Sequence, residues 1–263
     1  MRLRCYTSYL LTLVACSCSC NRAPQERKPL WIYEAGHLQQ SGIVGIQRVV
    51  VSKRHVFLIM STRDADHLAA LDIRTGHEMW RSSLSQSKSA NKSRVILLGG
   101  SAILPVEKPC PAPQIDFPSC GTLYVLTRGL QNRAPELWVL DYAGQVASQT
   151  SGAQALASWE ALLRSTGKVP LQQEHERKPI VSSNGLQYEI KIEAGFWFDF
   201  FGAMPSLPHS ELIAKDVNTN MAVWHSGRLE GLFGTPILAD RRVYIATLAT
   251  NIGARLYVFD TKL

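Results

Sequence analysis

The side chains that could do chemistry in this sequence are few and widely spaced. Seven histidines are scattered along the chain, and two of them, His67 and His77, flank a predicted turn. There is no Gly-x-Ser-x-Gly elbow, no phosphate-binding loop and no His-Glu-x-x-His pair in the sequence. The EHE triplet at residues 174–176 has the right letters for a metal site but stands alone in a polar stretch. We therefore predict a protein that is not an enzyme, with no catalytic residue, no metal and no cofactor.

The first 15 residues have the pattern of an export signal. Two positive charges in MRLR precede an apolar run that is well short of the roughly 20 residues of a membrane-spanning helix. The run ends in LVAC, which resembles the bacterial lipobox, in which the cysteine thiol is lipidated after cleavage. We predict a signal peptide over residues 1–15, lipid attachment at Cys16 and a polar tether over residues 16–28. Cys18 and Cys20 are the fallback sites, and a cleaved soluble protein is the alternative.

The residue after the lipobox cysteine bears on location. It is Ser17, not Asp, and by resemblance to sorted bacterial lipoproteins this favours the outer membrane in a host that has two membranes. The predicted location is therefore the bacterial cell envelope, on the outer membrane and facing the periplasm. Membrane lipid, bound through two or three acyl chains, is the first predicted partner.

Beyond the first 20 residues the sequence has two cysteines, which enclose a proline-rich stretch, CPAPQIDFPSC. An exported chain meets an oxidising compartment, so we predict a disulfide between Cys110 and Cys120, with two free thiols as the alternative.

The composition favours a folded domain without a nucleic-acid partner. Apolar residues make up 46% of the 263, enough for a substantial core. The net charge of +7 is spread along the chain and makes no concentrated basic patch.

A sequence repeat predicts the strands and turns that make up the fold. LAALDIRTGHEMW (68–80) aligns with LIAKDVNTNMAVW (212–224): an apolar strand ends in Asp, with Thr three residues later and Trp eight residues later. LWVLDYAGQVASQ (137–149) and LYVFDTKL (256–263) are partial copies. The Asp-x-x-Thr-Gly pattern is typical of a tight turn. The predicted motif residues are Asp72, Thr75, Gly76, Trp80, Asp141, Asp216, Thr219, Trp224 and Asp260.

The start of the folded part complements the last copy. KPLWIYEAGH contains a predicted strand with Trp31 in the position of the motif tryptophan, and LYVFDTKL lacks that strand. We therefore predict that the N-terminal strand completes the C-terminal sheet.

These residues resemble the repeat of the quinoprotein-like β-propellers, the pyrroloquinoline-quinone (PQQ) enzyme type. The resemblance implies four-stranded blades around an axis, with the tryptophans between adjacent blades. We expect an all-β domain over residues 29–263: a small or incomplete β-propeller with four recognisable blades and room for a degenerate fifth. Successive motif aspartates are 69, 75 and 44 residues apart, and the second gap is predicted to hold a short helix stopped by Gly167. A small ring, a decayed ring and a fragment completed by a second copy all remain open.

One aromatic run stands out within the second gap. GFWFDFFGAMPSLP (195–208) concentrates aromatic side chains between glycine and proline flanks, as expected of an inserted loop. Either these side chains pack inside a hairpin, or they form a contact patch for a protein or for lipid headgroups. The candidate patch consists of Phe196, Trp197, Phe198, Phe200 and Phe201.

The function expected from these patterns is that of a non-enzymatic envelope scaffold that mediates protein–protein contacts. By resemblance, the nearest functional relative is the propeller lipoprotein of the outer-membrane β-barrel assembly machine, so envelope proteins, including barrel-assembly components, are the expected partners. One alternative is a ligand-binding or sensory propeller with a pocket near Arg241 and Arg242. A second is a remnant of a quinone-dependent dehydrogenase, although the chain lacks the adjacent cysteine pair that such enzymes carry.

Overall fold

The computed structural model of the chain describes residues 23–35, 45–61, 66–84, 102–108, 120–127, 134–167, 180–181, 184–193, 196–199, 202–205, 209–249 and 254–262. Strands dominate this part of the chain. Their bounds are β1 (Gln25–Glu26), β2 (Trp31–Glu34), β3 (Gly45–Val51), β4 (His55–Ser61), β5 (Asp66–Asp72), β6 (Glu78–Ser83), β7 (Ala102–Lys108), β8 (Cys120–Thr127), β9 (Glu136–Asp141), β10 (Val146–Ser151), β11 (Ile180–Val181), β12 (Leu186–Glu193), β13 (Phe196–Asp199), β14 (Gly202–Pro205), β15 (His209–Asp216), β16 (Ala222–His225), β17 (Leu229–Glu230), β18 (Leu232–Phe233), β19 (Ile237–Ala239), β20 (Arg242–Ala249) and β21 (Arg255–Asp260). The helix is α1 (Ala153–Thr166).

Four antiparallel sheets account for most of these strands. The first sheet has the order β3-β4-β5-β6 and the second has β7-β8-β9-β10. The third is built on β11-β12-β15-β16, and the fourth contains β18, β19, β20, β21 and β2. The first two are meanders of consecutive strands, and the four sheets together confirm the predicted all-β, propeller-like fold.

The N-terminal strand completes the last sheet, as predicted. Strand β2 pairs antiparallel with β21, and Trp31 lies opposite Val258. The N-terminal and C-terminal strands of the folded chain are therefore joined by backbone hydrogen bonds.

Buried apolar clusters arrange the sheets in a row. One cluster joins the third sheet to the fourth, another joins the fourth to the first, and another joins the first to the second. Strand β4 has a continuous apolar sequence because both of its faces are buried. Val56 and Leu58 pack toward the fourth sheet, while Phe57 and Ile59 pack toward the second. Among the described residues, no such cluster joins the second sheet to the third.

The two ends of the row have different surfaces. Helix α1 packs Ala155 and Trp159 on the outer face of the second sheet, against Leu104, Leu126 and Leu137. This is the predicted helix, and it ends at Gly167 in the left-handed conformation (φ 62°, ψ 11°). The outer face of the third sheet is polar instead and carries an ion pair between Lys215 and Glu189.

One end of every sheet belongs to a continuous edge, which we call the Asp rim. It consists of the turns at residues 52–54, 72–77, 141–145, 216–221 and 240–241. Backbone bonds join turns within a sheet, such as that from the Ile73 N–H to the Arg54 carbonyl at 3.0 Å. Side-chain bonds from one sheet to the next keep the turns on the same side.

The folded chain begins earlier than the sequence suggests. Gln25 and Glu26 of the predicted tether form β1, which pairs in parallel with β16 at the outer edge of the third sheet. The described part of the chain has no helix long and apolar enough to cross a bilayer.

Candidate functional site

The motif aspartates lie in tight turns on the Asp rim. In the first sheet, Oδ1 of Asp72 accepts hydrogen bonds from the N–H groups of Arg74 and Thr75, both at 2.9 Å, and from the Thr75 hydroxyl at 3.1 Å. Asp216 makes the same three bonds, with the same distances, to Asn218 and Thr219. The carboxylates therefore hold the backbone of their own turns.

These bonds also set the ionisation of the aspartates. Burial acts to raise the pKa of Asp72, but the donated bonds of Thr75 and Arg74 outweigh it and hold this pKa below its ordinary value. The bonds from Thr219 lower the pKa of Asp216 in the same way. In each aspartate Oδ1 already accepts three hydrogen bonds from its own turn. These carboxylates are therefore suited to stabilising the turn rather than to transferring protons.

Two motif tryptophans bridge neighbouring sheets. Nε1 of Trp80, in the first sheet, donates to the Tyr142 carbonyl of the second sheet at 2.7 Å. Its ring covers Gly144 so closely that a Cβ there would lie 2.7 Å from the ring. Trp31 likewise donates to the Ile73 carbonyl at 3.3 Å and covers Gly76. Glycine is required in both turns, because its φ is positive and because the indole occupies the space of a side chain.

The third motif tryptophan is held differently. Trp224 is fully buried between the third and fourth sheets, with the rings of Tyr188 and Phe259 each 5.9 Å away. Its Nε1 has no hydrogen-bond partner among the described residues. The Arg27 guanidinium lies over the indole, 5.1 Å from the ring centroid. Arg27 also donates to the carbonyls of Asp260 and Lys262, so it joins the N-terminal segment to both sheets.

A partly buried polar cluster joins the fourth sheet to the first. The Tyr33 hydroxyl donates to Oε2 of Glu78 at 2.6 Å and accepts a bond from Nη2 of Arg81 at 2.9 Å. Arg81 and Glu78 form a two-point ion pair. Burial, followed by the Glu78 carboxylate, raises the pKa of Tyr33 well above its ordinary value. Sequence reasoning missed this cluster, because Tyr33 and Glu78 lie 45 residues apart.

A second polar group lies between the first and second sheets. Glu107 accepts bonds from the Ser52 hydroxyl at 2.8 Å and from the Lys53 N–H at 3.2 Å, and it pairs with the Lys53 ammonium at 3.0 Å. His55 lies nearby, buried against the rings of Phe57 and Tyr142. Burial lowers the pKa of His55 below its ordinary value.

Arg241 and Arg242, the arginines of the predicted ligand pocket, make different contacts. Arg241 is exposed in the turn between β19 and β20. Arg242 instead donates to the Ile73 carbonyl of the first sheet. A cavity of about 20 Å³ between the inner strands of the first and fourth sheets is large enough for roughly one water molecule.

A larger groove of about 440 Å³ lies between α1 and the second sheet. It combines apolar side chains with hydroxyl groups and is open on one side. The lining residues are Tyr124, Leu137, Val139, Ser148, Thr150, Ser158, Ala161, Leu162 and Ser165.

The predicted contact patch lies on an added hairpin. Strands β13 and β14 pair with each other and with no other described strand, and Trp197 lies opposite Met204. In the sequence the hairpin lies between β12 and β15, and that pair ends with Glu193 opposite His209, so the hairpin follows the end of the third sheet away from the Asp rim. Phe196, Trp197 and Phe198 belong to β13, whereas Phe200 and Phe201 lie outside the described residues.

Other predicted sites are outside the described residues or lack a cluster. Cys16 and Cys110 are not described, so lipidation and the disulfide to Cys120 stay predictions. Among the described residues no three His, Cys, Asp or Glu side chains come together in a metal-binding arrangement. His225 and Glu211 form a pair, with Nδ1 and Oε1 2.7 Å apart.

Comparisons with solved structures include two distant neighbours of this chain. No family model and no curated protein matches the chain. The quinohemoprotein alcohol dehydrogenase ADHIIG from Pseudomonas putida HK5 is 11% identical, with a TM-score of 0.20 over 76% of this chain and 48% of that one. The chain thus spans about half the length of that enzyme. The computationally designed Ika8 protein is 9% identical, with a TM-score of 0.30 over 89% of this chain and 100% of that one. The fold assignment rests on the sheets described above.

Proposed function

We propose that this chain is a lipid-anchored scaffold of the bacterial envelope, with a quinoprotein-like propeller that holds partner proteins and performs no chemistry. Its nearest functional counterpart would be the propeller lipoprotein of the outer-membrane barrel assembly machine, and it would face the periplasm from the outer membrane. The best-placed polar side chains support this proposal. Asp72 and Asp216 hold turns, and Tyr33, Glu78 and Arg81 hold two sheets together.

The β13–β14 hairpin is the observation that carries the proposal. Within the described part of the chain this two-stranded hairpin pairs with no other strand, and such a hairpin is marginally stable alone in water. Its sequence, FWFD in β13, is rich in the aromatic residues that dominate protein-binding hot spots. A partner protein that covers the hairpin would stabilise it and would account for its composition.

The test is crosslinking in intact bacterial cells, followed by affinity capture and mass spectrometry. We compare the parent chain with Trp197→Ser and with a matched control, Val146→Ser, which changes a 47% exposed side chain on the second sheet. Loss of a hot-spot aromatic costs about 2 kcal/mol or more, so the hairpin variant should recover roughly 30-fold less partner. The control should recover parental amounts.

The identity of the captured protein refines the proposal. Barrel-assembly components in near-equal amounts to the bait would support that specific role, and another envelope complex would keep the scaffold and change its assignment. Capture of the bait alone, or equal capture by the hairpin variant and the control, would refute the proposal.

The groove beside α1 favours the ligand-binding alternative. Its mixture of hydroxyl groups and apolar side chains is typical of sites for small, partly polar molecules. A thermal-shift screen would support this function if a compound raised the melting temperature of the parent and not of Ala161→Trp, which fills the groove. The remnant-dehydrogenase alternative is tested by the absorbance spectrum after addition of pyrroloquinoline quinone and Ca²⁺.

A further inference from the structure

We infer that the Asp rim of the third sheet faces the membrane that holds the anchor, with Val217 and Met221 in contact with the lipid headgroup region. This inference rests on the proposed lipid anchor. It adds an orientation and a second, non-covalent membrane contact, and it leaves the aromatic hairpin at the other end of the sheet for partner proteins.

The path of the N-terminal segment shows where the predicted anchor joins the folded domain. Strand β1 runs parallel to β16, with Gln25 opposite Trp224 and Glu26 opposite His225. Continuing this register backward places Ala23 level with Ala222, where β16 starts. The chain therefore joins the folded domain beside the turn at residues 216–221, which belongs to the Asp rim.

The tether is short, which limits the distance between the predicted anchor and the folded domain. Six residues, 17–22, separate the predicted lipid-bearing Cys16 from Ala23. An extended chain spans at most about 3.6 Å per residue, so the two Cα atoms are no more than roughly 25 Å apart. A tether of this length keeps the entry point close to the bilayer surface.

Exposed apolar side chains lie at this entry point. Val217 is 44% exposed and Met221 is 49% exposed, and they lie near the two ends of the 216–221 turn. Leu30, 49% exposed, precedes β2 and donates its N–H to Val258 near the same rim of the fourth sheet. Large apolar groups that are exposed together beside a membrane tether are suited to the interface between headgroups and acyl chains.

The Asp rim itself carries no net charge. Its turns hold four cations and four carboxylates, namely Lys53, Arg54, Arg74 and Arg241 against Asp72, Asp141, Asp216 and Asp240. The membrane contact at the 216–221 turn therefore depends on its apolar side chains rather than on attraction to anionic lipid.

The test uses the full lipidated protein in vesicles of phosphatidylethanolamine and phosphatidylglycerol. A benzophenone amino acid is placed at Met221 in one variant and at Leu156 in the control. Leu156 is also exposed, at 39%, but it lies on α1, which follows the end of β10 away from the Asp rim. After illumination, the yield of lipid adduct on each variant is measured by mass spectrometry.

Because an interfacial apolar group lies about 5–10 Å into the headgroup boundary, we expect roughly tenfold more lipid adduct at Met221 than at Leu156. Equal yields, or a higher yield at Leu156, would overturn the orientation while the anchor stands. The anchor is checked separately by Cys16→Ala, which should move the protein from the membrane to the soluble fraction. If the parent is not membrane-bound, both the anchor and the orientation are refuted.

Discussion

Substituting alanine for Gly144 should loosen the joint between the first and second sheets. The residue has a φ of +83°, and a Cβ there would lie 2.7 Å from Cδ2 of Trp80. The left-handed backbone costs about 1–2 kcal/mol for a residue with a Cβ. Forcing the Trp80 ring away adds about 1–3 kcal/mol, because the ring is also held by its 2.7 Å bond to the Tyr142 carbonyl. We therefore expect Gly144→Ala to lower the free energy of unfolding by about 2–5 kcal/mol in all.

The structure offers a control that separates the two costs. Gly167 also has a left-handed backbone, with φ 62°, but nothing lies within 4 Å of a Cβ built there. Gly167→Ala should therefore cost only the backbone part, about 1–2 kcal/mol. Urea denaturation of both variants, followed by far-ultraviolet circular dichroism, measures the difference.

A double variant tests whether the indole is the cause. Trp80→Ala alone should cost about 3–5 kcal/mol, but it removes the ring that Gly144→Ala strikes. The double variant should then be more stable than the sum of the two single effects by about 1–3 kcal/mol. Strict additivity, or equal losses for Gly144→Ala and Gly167→Ala, would refute the placement of Trp80 over the turn.

Three further changes test how other contacts contribute to the free energy of unfolding. Tyr33→Phe should lower the free energy of unfolding by about 1–3 kcal/mol, since Glu78 and Arg81 lose a buried partner. Because the folded pKa of Tyr33 is raised, the parent should also lose stability above about pH 10 as the unfolded chain ionises, and the variant should lose less in an alkaline denaturation series. The lowered pKa of His55 means that the unfolded chain binds a proton first as the pH falls below about 6.5, so parental stability should fall there and His55→Gln should show a smaller slope. Finally, if Cys110 and Cys120 are bonded, reductant should lower the free energy of unfolding by about 2–3 kcal/mol, and Cys110→Ser with Cys120→Ser should show no response.

Features written in short stretches of sequence could be predicted. The Asp and Thr spacing is enough to define the turn at 72–77, because the bonds run between residues three apart or fewer. The same locality holds for α1, whose Ala- and Leu-rich sequence stops at Gly167. The closure by Trp31 was also predictable, because the last repeat visibly lacks one strand.

Apart from the closing strand, contacts between distant segments could not be predicted from the sequence. Arg27 stacks on Trp224 and reaches the end of the chain, and no periodicity links these positions. The early start of the folded domain, at β1, likewise depends on an edge that only the assembled third sheet presents. Side chains of this kind acquire partners only when the sheets pack.

By itself, then, the sequence determined the local units of this protein: the repeated turns, the four antiparallel sheets and the strand that closes the last of them. The tertiary structure decided the row in which the sheets pack, the covering of one end by α1 and the polar face at the other. It also decided which end of the third sheet receives the N-terminal segment and which end carries the aromatic hairpin. Turns depend on hydrogen bonds between near neighbours, whereas the order and exposure of sheets depend on apolar surfaces that meet only in the folded chain.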